Sequence, residues 1–146
     1  MNLLLVAVGG AIGSMARYGV GYAAARVFGL AFPWGTLLVN IVGGLAMGVL
    51  VARVGPEQEN LRLLLGVGLL GGFTTFSAFS LETVRLLEHH PGQAMLYVAA
   101  SLLLSVGACW LGLSLGRVLG RSRPFKLRTT TAWRGSTAGC AAATPI

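Results

Sequence analysis

The chemistry of this chain is concentrated in a few polar residues set among apolar neighbours. The stretch Gly71-Gly72-Phe73-Thr74-Thr75-Phe76-Ser77-Ala78-Phe79-Ser80 places glycines, threonines and serines at the expected middle of a membrane-length apolar run. Glycine costs about 1 kcal/mol relative to alanine in a helix, and Ser and Thr hydroxyls compete for backbone carbonyls. A helix break there frees carbonyls and N–H groups at membrane depth. Such groups persist only when buried in protein, facing water or bound to an ion. The competing structural account is a glycine-rich packing face whose hydroxyls bond their own helix. Thr36 and Asn40 are four residues apart, on one helical face. An Asn within a membrane helix needs a partner, which a neighbouring helix could also supply. Tyr97 and Ser101 repeat the four-residue spacing, although Tyr97 alone also suits the interfacial aromatic belt. Arg17 lies inside the first apolar run. An intramembrane arginine is a functional-site candidate by default; otherwise it snorkels to the interface or ends a shorter helix.

The absences narrow the chemistry. The chain has no Asp, and no acid precedes Glu57. Glu82 is the one carboxylate within an apolar run, with Arg85 three residues on as its expected partner. No nucleophile–base pair, phosphate loop or zinc spacing is present, so the chain does not read as an enzyme. Hydroxyls, an amide, aromatic rings and an arginine suit an anion. The edges of the Phe76 and Phe79 rings carry positive electrostatic character, so an anion could rest there without being trapped by a full charge, as conduction requires.

These residues need apolar elements to hold them, and four runs are long enough. They extend from about Asn2 to Val27, Pro33 to Val51, Leu61 to Leu87 and Ala94 to Leu119, each meeting the roughly 20 residues that span a bilayer. Pro33 is expected in a first helical turn. Gly9 and Gly13, Gly44 and Gly48, and Gly112, Gly116 and Gly120 are spaced by four, which favours close helix crossings. Of 146 residues, 55% are hydrophobic and only 10% charged, against about a quarter charged in soluble domains. Mean hydropathy is +0.77. A water-soluble fold of this size could not hide so much apolar surface. The composition implies a small, closely packed, all-α membrane protein with four transmembrane helices.

The net charge of +7 is mostly a property of the tail, where Arg121, Arg123, Lys126, Arg128 and Arg134 lie beyond the last run. Residues 1–120 read as the transmembrane domain and 121–146 as a basic tail, expected to be disordered. Lipid headgroups are its more economical partner, and it carries no recognisable nucleic-acid module. Cys109 and Cys140 form neither a disulfide framework nor a metal site. With four spans, Arg53, Arg62 and Arg117 share the side of the termini, and Arg26 and Arg85 the other. So small a bias allows insertion in both orientations, although the tail favours a cytoplasmic C-terminus.

Three stretches carry a family resemblance: Gly9-Gly10-Ala11-Ile12-Gly13-Ser14-Met15-Ala16-Arg17-Tyr18, Pro33-Trp34-Gly35-Thr36-Leu37-Leu38-Val39-Asn40, and Gly71 to Phe79. In order and spacing the chain resembles the CrcB/Fluc fluoride channels over most of its length before the tail. The resemblance implies a multi-pass protein of the inner or plasma membrane and an antiparallel, dual-topology homodimer with two fluoride pores. The density of polar residues from Gly71 to Ser80 favours a helix 3 broken near its middle, and the resemblance implies a structural Na+ at the dimer centre. By position, Phe76 and Phe79 resemble the rings that fluoride passes, and Asn40 the pore amide. Thr36, Thr75, Ser77, Tyr97 and Ser101 fall at polar-track positions. Arg17 resembles the vestibule arginine, and Gly71 and Thr74 the residues whose carbonyls bind sodium. Ala78 departs from the family's common Thr. The implied function is passive fluoride export and resistance to fluoride toxicity. The alternative, a small proton-coupled exporter of the small multidrug resistance type, requires a carboxylate in the first helix, and none is there.

Overall fold

Long apolar runs interrupted by proline, glycine and short polar links leave the backbone one economical arrangement in a bilayer: helices that satisfy their own hydrogen bonds. A computed structural model describes residues 2–119. The expected tail 121–146 and Gly120 lie outside the described residues. Helix α1 is Asn2–Phe28 and α2 is Trp34–Arg53. A third helical run, α3, covers 59–73 as an opening turn Glu59–Leu61, a π-helical segment Arg62–Leu70 and a closing turn Gly71–Phe73. Helix α4 is Phe76–His89, and α5 is Pro91–Leu119. Four stretches are long and apolar enough to cross a membrane: Asn2–Phe28, Trp34–Arg53, Glu59–His89 and Pro91–Leu119. The protein is thus all-helical, with the length and composition of a multi-pass membrane protein.

Helix boundaries follow local chemistry. Gly29, at φ 78°, ends α1 in the left-handed region, and its N–H donates to the Ala25 carbonyl at 3.0 Å, a glycine cap with no Cβ to obstruct it. Pro33 is the N-cap of α2, one position before the expected first turn, and its carbonyl accepts from Leu37 N–H at 3.2 Å. His90 alone separates α4 from α5. It leaves the helical region (φ −143°, ψ 72°), as a residue before proline tends to, and its carbonyl accepts from Gln93 and Ala94. Pro91 then opens α5, where its missing N–H is harmless.

Packing depends on close backbone approach. A Cβ on Gly9 or Gly13 would run into the carbonyls of Leu64 or Leu69, so α1 lies directly on α3. A Cβ on Gly48 would meet the Cys109 carbonyl, and one on Gly112 the Leu45 carbonyl, so α2 and α5 approach equally closely. The buried apolar residues are few: Ala24, Leu37, Val39, Leu70, Ala94 and Tyr97. Leu3, Leu103 and Val118 are among many large apolar side chains left exposed. That distribution suits hydrocarbon as the surrounding solvent, since lipid imposes no penalty on outward-facing Leu or Val.

Candidate functional site

The site is built where α3 gives way to α4. Thr74 (φ −76°, ψ 155°) and Thr75 (φ −150°, ψ 123°) are extended, between the helical turn Gly71–Phe73 and helix α4. Asn40, in the second turn of α2, meets this extended pair. Its Oδ1 accepts from Thr75 N–H at 3.1 Å and its Nδ2 donates to the Thr75 carbonyl at 3.3 Å. The amide thus pairs with the backbone as a neighbouring strand would. Satisfying both groups avoids a cost of about 1–3 kcal/mol for each buried polar group left alone. One N–H of Nδ2 is left over.

The Thr75 hydroxyl caps α4, accepting from Ala78 N–H at 3.3 Å and sharing a 3.3 Å hydrogen bond with Ser77. Thr74 turns its hydroxyl back to the Leu70 carbonyl at 2.9 Å. These bonds redirect the donors that an unbroken α-helix would use. The Thr75 N–H owed to Gly71 goes to Asn40, and the Ala78 N–H owed to Thr74 goes to the Thr75 hydroxyl. The carbonyls of Gly71 and Thr74 are thereby released from their helical donors. The Ser14 hydroxyl approaches the next carbonyl, that of Gly72, at 3.5 Å.

Phe76 and Phe79 follow on α4 with ring centroids 5.6 Å apart. Phe76 is 77% exposed. With Asn40, Thr75, Ser101 and Ser105 they line a groove of about 370 Å³. Among the described residues, the Ser105 hydroxyl oxygen is buried without a hydrogen-bond partner, while the Ser101 hydroxyl sits against that of Tyr97. Such an orphan asks for a ligand.

A second cavity, of about 460 Å³, lies toward the other end of α4 and is lined in part by Thr36, Glu82, Arg85, Phe32 and Trp34. Tyr97, fully buried, stands between the two. Its ring packs on Phe79 at 5.3 Å and edge-on to Phe32 at 5.5 Å. Its hydroxyl donates to one Glu82 oxygen at 2.8 Å, and Thr36 donates to the other at 2.8 Å. Glu82 therefore joins α2, α4 and α5, and its oxygens are engaged by Thr36 and Tyr97 in place of the expected Arg85. Tyr97 thus links a ring of one cavity's lining, Phe79, to one of the other's, Phe32, with the carboxylate held on the Thr36 side.

Most of the residues singled out by sequence converge here: Asn40, Thr75, Phe76, Phe79 and Ser101 in the groove, Thr36 in the second cavity, and Tyr97 between them. Ser77 borders the site through Thr75, and Gly71 and Thr74 supply the backbone beside it. Arg17 stands apart, half-buried on α1 and lining neither cavity. Sequence reasoning missed Ser105 and the bridging role of Glu82. The signal for Ser105 was present, since Tyr97, Ser101 and Ser105 continue one four-residue ladder.

The sequence profile described as "CrcB-like protein, Camphor Resistance (CrcB)" matches residues 4–113. The chain belongs to the CrcB family. Among its relatives, the protein named "Fluoride-specific ion channel FluC" in Caulobacter sp. (strain K31) is 56% identical over 121 residues, covering 80% of this chain and 94% of its own. The protein of the same name in Rhizobium etli is 55% identical over 125 residues, covering 82% and 98%. That of Agrobacterium fabrum is 50% identical over 123 residues, again covering 82% and 98%. In this CrcB-family chain, the family match takes in both cavities and every residue of the Asn40–Thr75 and Glu82 networks.

Proposed function

We propose that the chain is the subunit of a fluoride-selective ion channel that lets fluoride leave the cell passively and so protects it from fluoride. The observation that carries this is 50–56% identity to fluoride-specific ion channels along 94–98% of their length. The site supports it chemically. Fluoride is compact and strongly hydrated, and bare burial at low dielectric is very costly. The groove offers replacements for water: the spare N–H of Asn40, the hydroxyls of Ser101 and Ser105, and the ring edges of Phe76 and Phe79. None is a cation, so the ion is met without being held. On the far side the Glu82 carboxylate takes the hydroxyl protons of Thr36 and Tyr97. Arg17, which lines neither cavity, takes no part in this reading of the groove.

The open groove, with the Phe76 ring exposed at its edge, supports an antiparallel homodimer in which a second copy covers it. Dual insertion then gives two equivalent paths. The carbonyls of Gly71 and Thr74 are hard oxygen donors without an acid beside them, a set that suits a sodium ion shared by the two copies. Bound there, sodium supplies positive charge to the backbone exposed by the interruption. The test is fluoride-electrode recording of efflux from liposomes carrying the purified protein. Rapid fluoride loss with chloride retained is expected; well-folded dimers that pass no fluoride would overturn the reading.

A further inference from the structure

Arg85 is a charge that the networks around Tyr97 do not use. Its spacing predicts an ion pair with Glu82, yet the Glu82 oxygens accept from Thr36 and Tyr97, on two other helices. Arg85 still borders the same space. Among the described residues lining the second cavity, Glu82 and Arg85 are the only charged ones, and none lines the groove. Arg85 lies three residues beyond Glu82, about 4.5 Å further along α4 toward its His89 end. It is exposed, whereas Glu82 is half-buried. The cation therefore stands outward of the carboxylate, toward the polar link that follows α4. Arg26 does not duplicate it: its guanidinium carbon sits 4.6 Å over the Tyr22 ring, and it does not line the cavity.

We propose that Arg85 is the anion-recruiting residue of the second cavity, its positive charge offsetting the Glu82 carboxylate so that a small anion can enter past it. A carboxylate alone repels other anions, and low-dielectric walls focus its field along the cavity. A cation outward of it reverses the sign at the entrance. A guanidinium suits this role because it stays charged at any ordinary pH. Its exposure suits it as well, since a hydrated charge attracts an ion over several ångströms without binding it tightly. Arg85 thus acts through the field and not by contact. That fluoride is the anion recruited rests on the fluoride-channel reading; the potential in the cavity does not.

The potential can be read directly. Ala31 is exposed and lines the same cavity. In purified full-length protein carrying Cys109→Ser and Cys140→Ser, the thiol of Ala31→Cys is labelled with methanethiosulfonates bearing a sulfonate, a trimethylammonium or only a methyl group. The ratio of anionic to cationic labelling rates cancels any change in the thiol's own reactivity. At about 0.01 M ionic strength, where the screening length is about 30 Å, Arg85→Gln should lower that ratio about fivefold. At about 1 M, where it is about 3 Å, the ratio should match the parent's. The uncharged reagent should react equally throughout, and Arg85→Lys should keep the parent's ratio. In liposomes, Arg85→Gln should slow fluoride efflux about twofold at low ionic strength and match the parent at high. A ratio indifferent to Arg85→Gln, a change that persists at high salt or extends to the uncharged reagent, or Arg85→Lys behaving as Arg85→Gln would each overturn the assignment. A parent protein that passes no fluoride overturns the channel reading instead, and the labelling ratio is read all the same.

Discussion

Asn40 shows how one side chain can shape backbone and ligand environment together. Its amide replaces the helical partner that Thr75 gave up and keeps one N–H facing the groove. Asn40→Ala removes both bonds and is expected to destabilise the protein by about 1–3 kcal/mol, read from unfolding in detergent, and to abolish efflux. An unchanged melting curve would show that the Thr75 backbone does not depend on it. The rings call for a different outcome. Phe79 packs on both Phe76 and Tyr97, so Phe79→Ile keeps volume but loses the polarised edge. Efflux should fall about tenfold, equivalent to about 1.4 kcal/mol of barrier, with size-exclusion behaviour unchanged. Flux at the parent rate would remove ring edges from the mechanism. At this scale the sequence was informative about residue types, since hydroxyls, amide and rings at helical spacing already described an anion's surroundings. It could not disclose that Glu82 would be shared by Thr36 and Tyr97. Those three residues come from three helices, and no local spacing encodes their meeting. The nearer candidate, Arg85, was favoured only because it is close in sequence.

The helices themselves were largely legible because each apolar run is longer than a bilayer requires and is bounded by Pro, Gly or charge. Their ends differ from the sequence expectation by a few residues, as at α5, which begins at Pro91 because proline is well suited to a first turn. The two glycines at 71 and 72 marked the right neighbourhood for another reason. They lie in a helical turn, and a Cβ on Gly72 would stand 2.6 Å from the Gly10 carbonyl; the extended residues are the threonines that follow. Glycine there serves helix contact, while Asn40 and the Thr75 cap hold the extended pair. The π-helical hydrogen bonding over Arg62–Leu70 left no sequence signal, because the same apolar residues suit either pitch. Two glycines on one helix give a matched test of packing. Gly13→Ala drives a methyl into the α3 backbone and should destabilise by about 1–3 kcal/mol. Gly19→Ala meets nothing within 4 Å and should stabilise by roughly 0.5–1 kcal/mol through helix propensity. Thermal unfolding in detergent should place the two on opposite sides of the parent; equal shifts would contradict the close α1–α3 approach.

At the scale of the whole molecule, the notable property is how little is buried. With so few buried side chains among the described residues, stability has to come from backbone proximity and the bilayer, and, in the proposed dimer, from a second copy. Sodium replaced by N-methyl-D-glucamine throughout purification is expected to lower the dimer fraction measured by cross-linking in liposomes; an unaltered fraction would count against carbonyl-bound sodium. In the proposed dual-topology dimer, charge would bias how the copies are oriented. The six arginines before residue 120 nearly balance, whereas five further cations follow them. Truncation after residue 120 should bring the two insertion orientations closer to parity, scored with a C-terminal reporter, and leave efflux per dimer unchanged. A ratio indifferent to the truncation would show that the tail does not set topology.

The ring contacts that run from Phe79 through Tyr97 and Phe32 reach an indole, because Phe32 and Trp34 are 4.8 Å apart. The Tyr97 link between the two linings is thus wired to a natural fluorophore. With Trp110 and Trp133 replaced by Phe, the emission of Trp34 becomes a built-in optical gauge of Tyr97, able to report movement there in real time without any added dye.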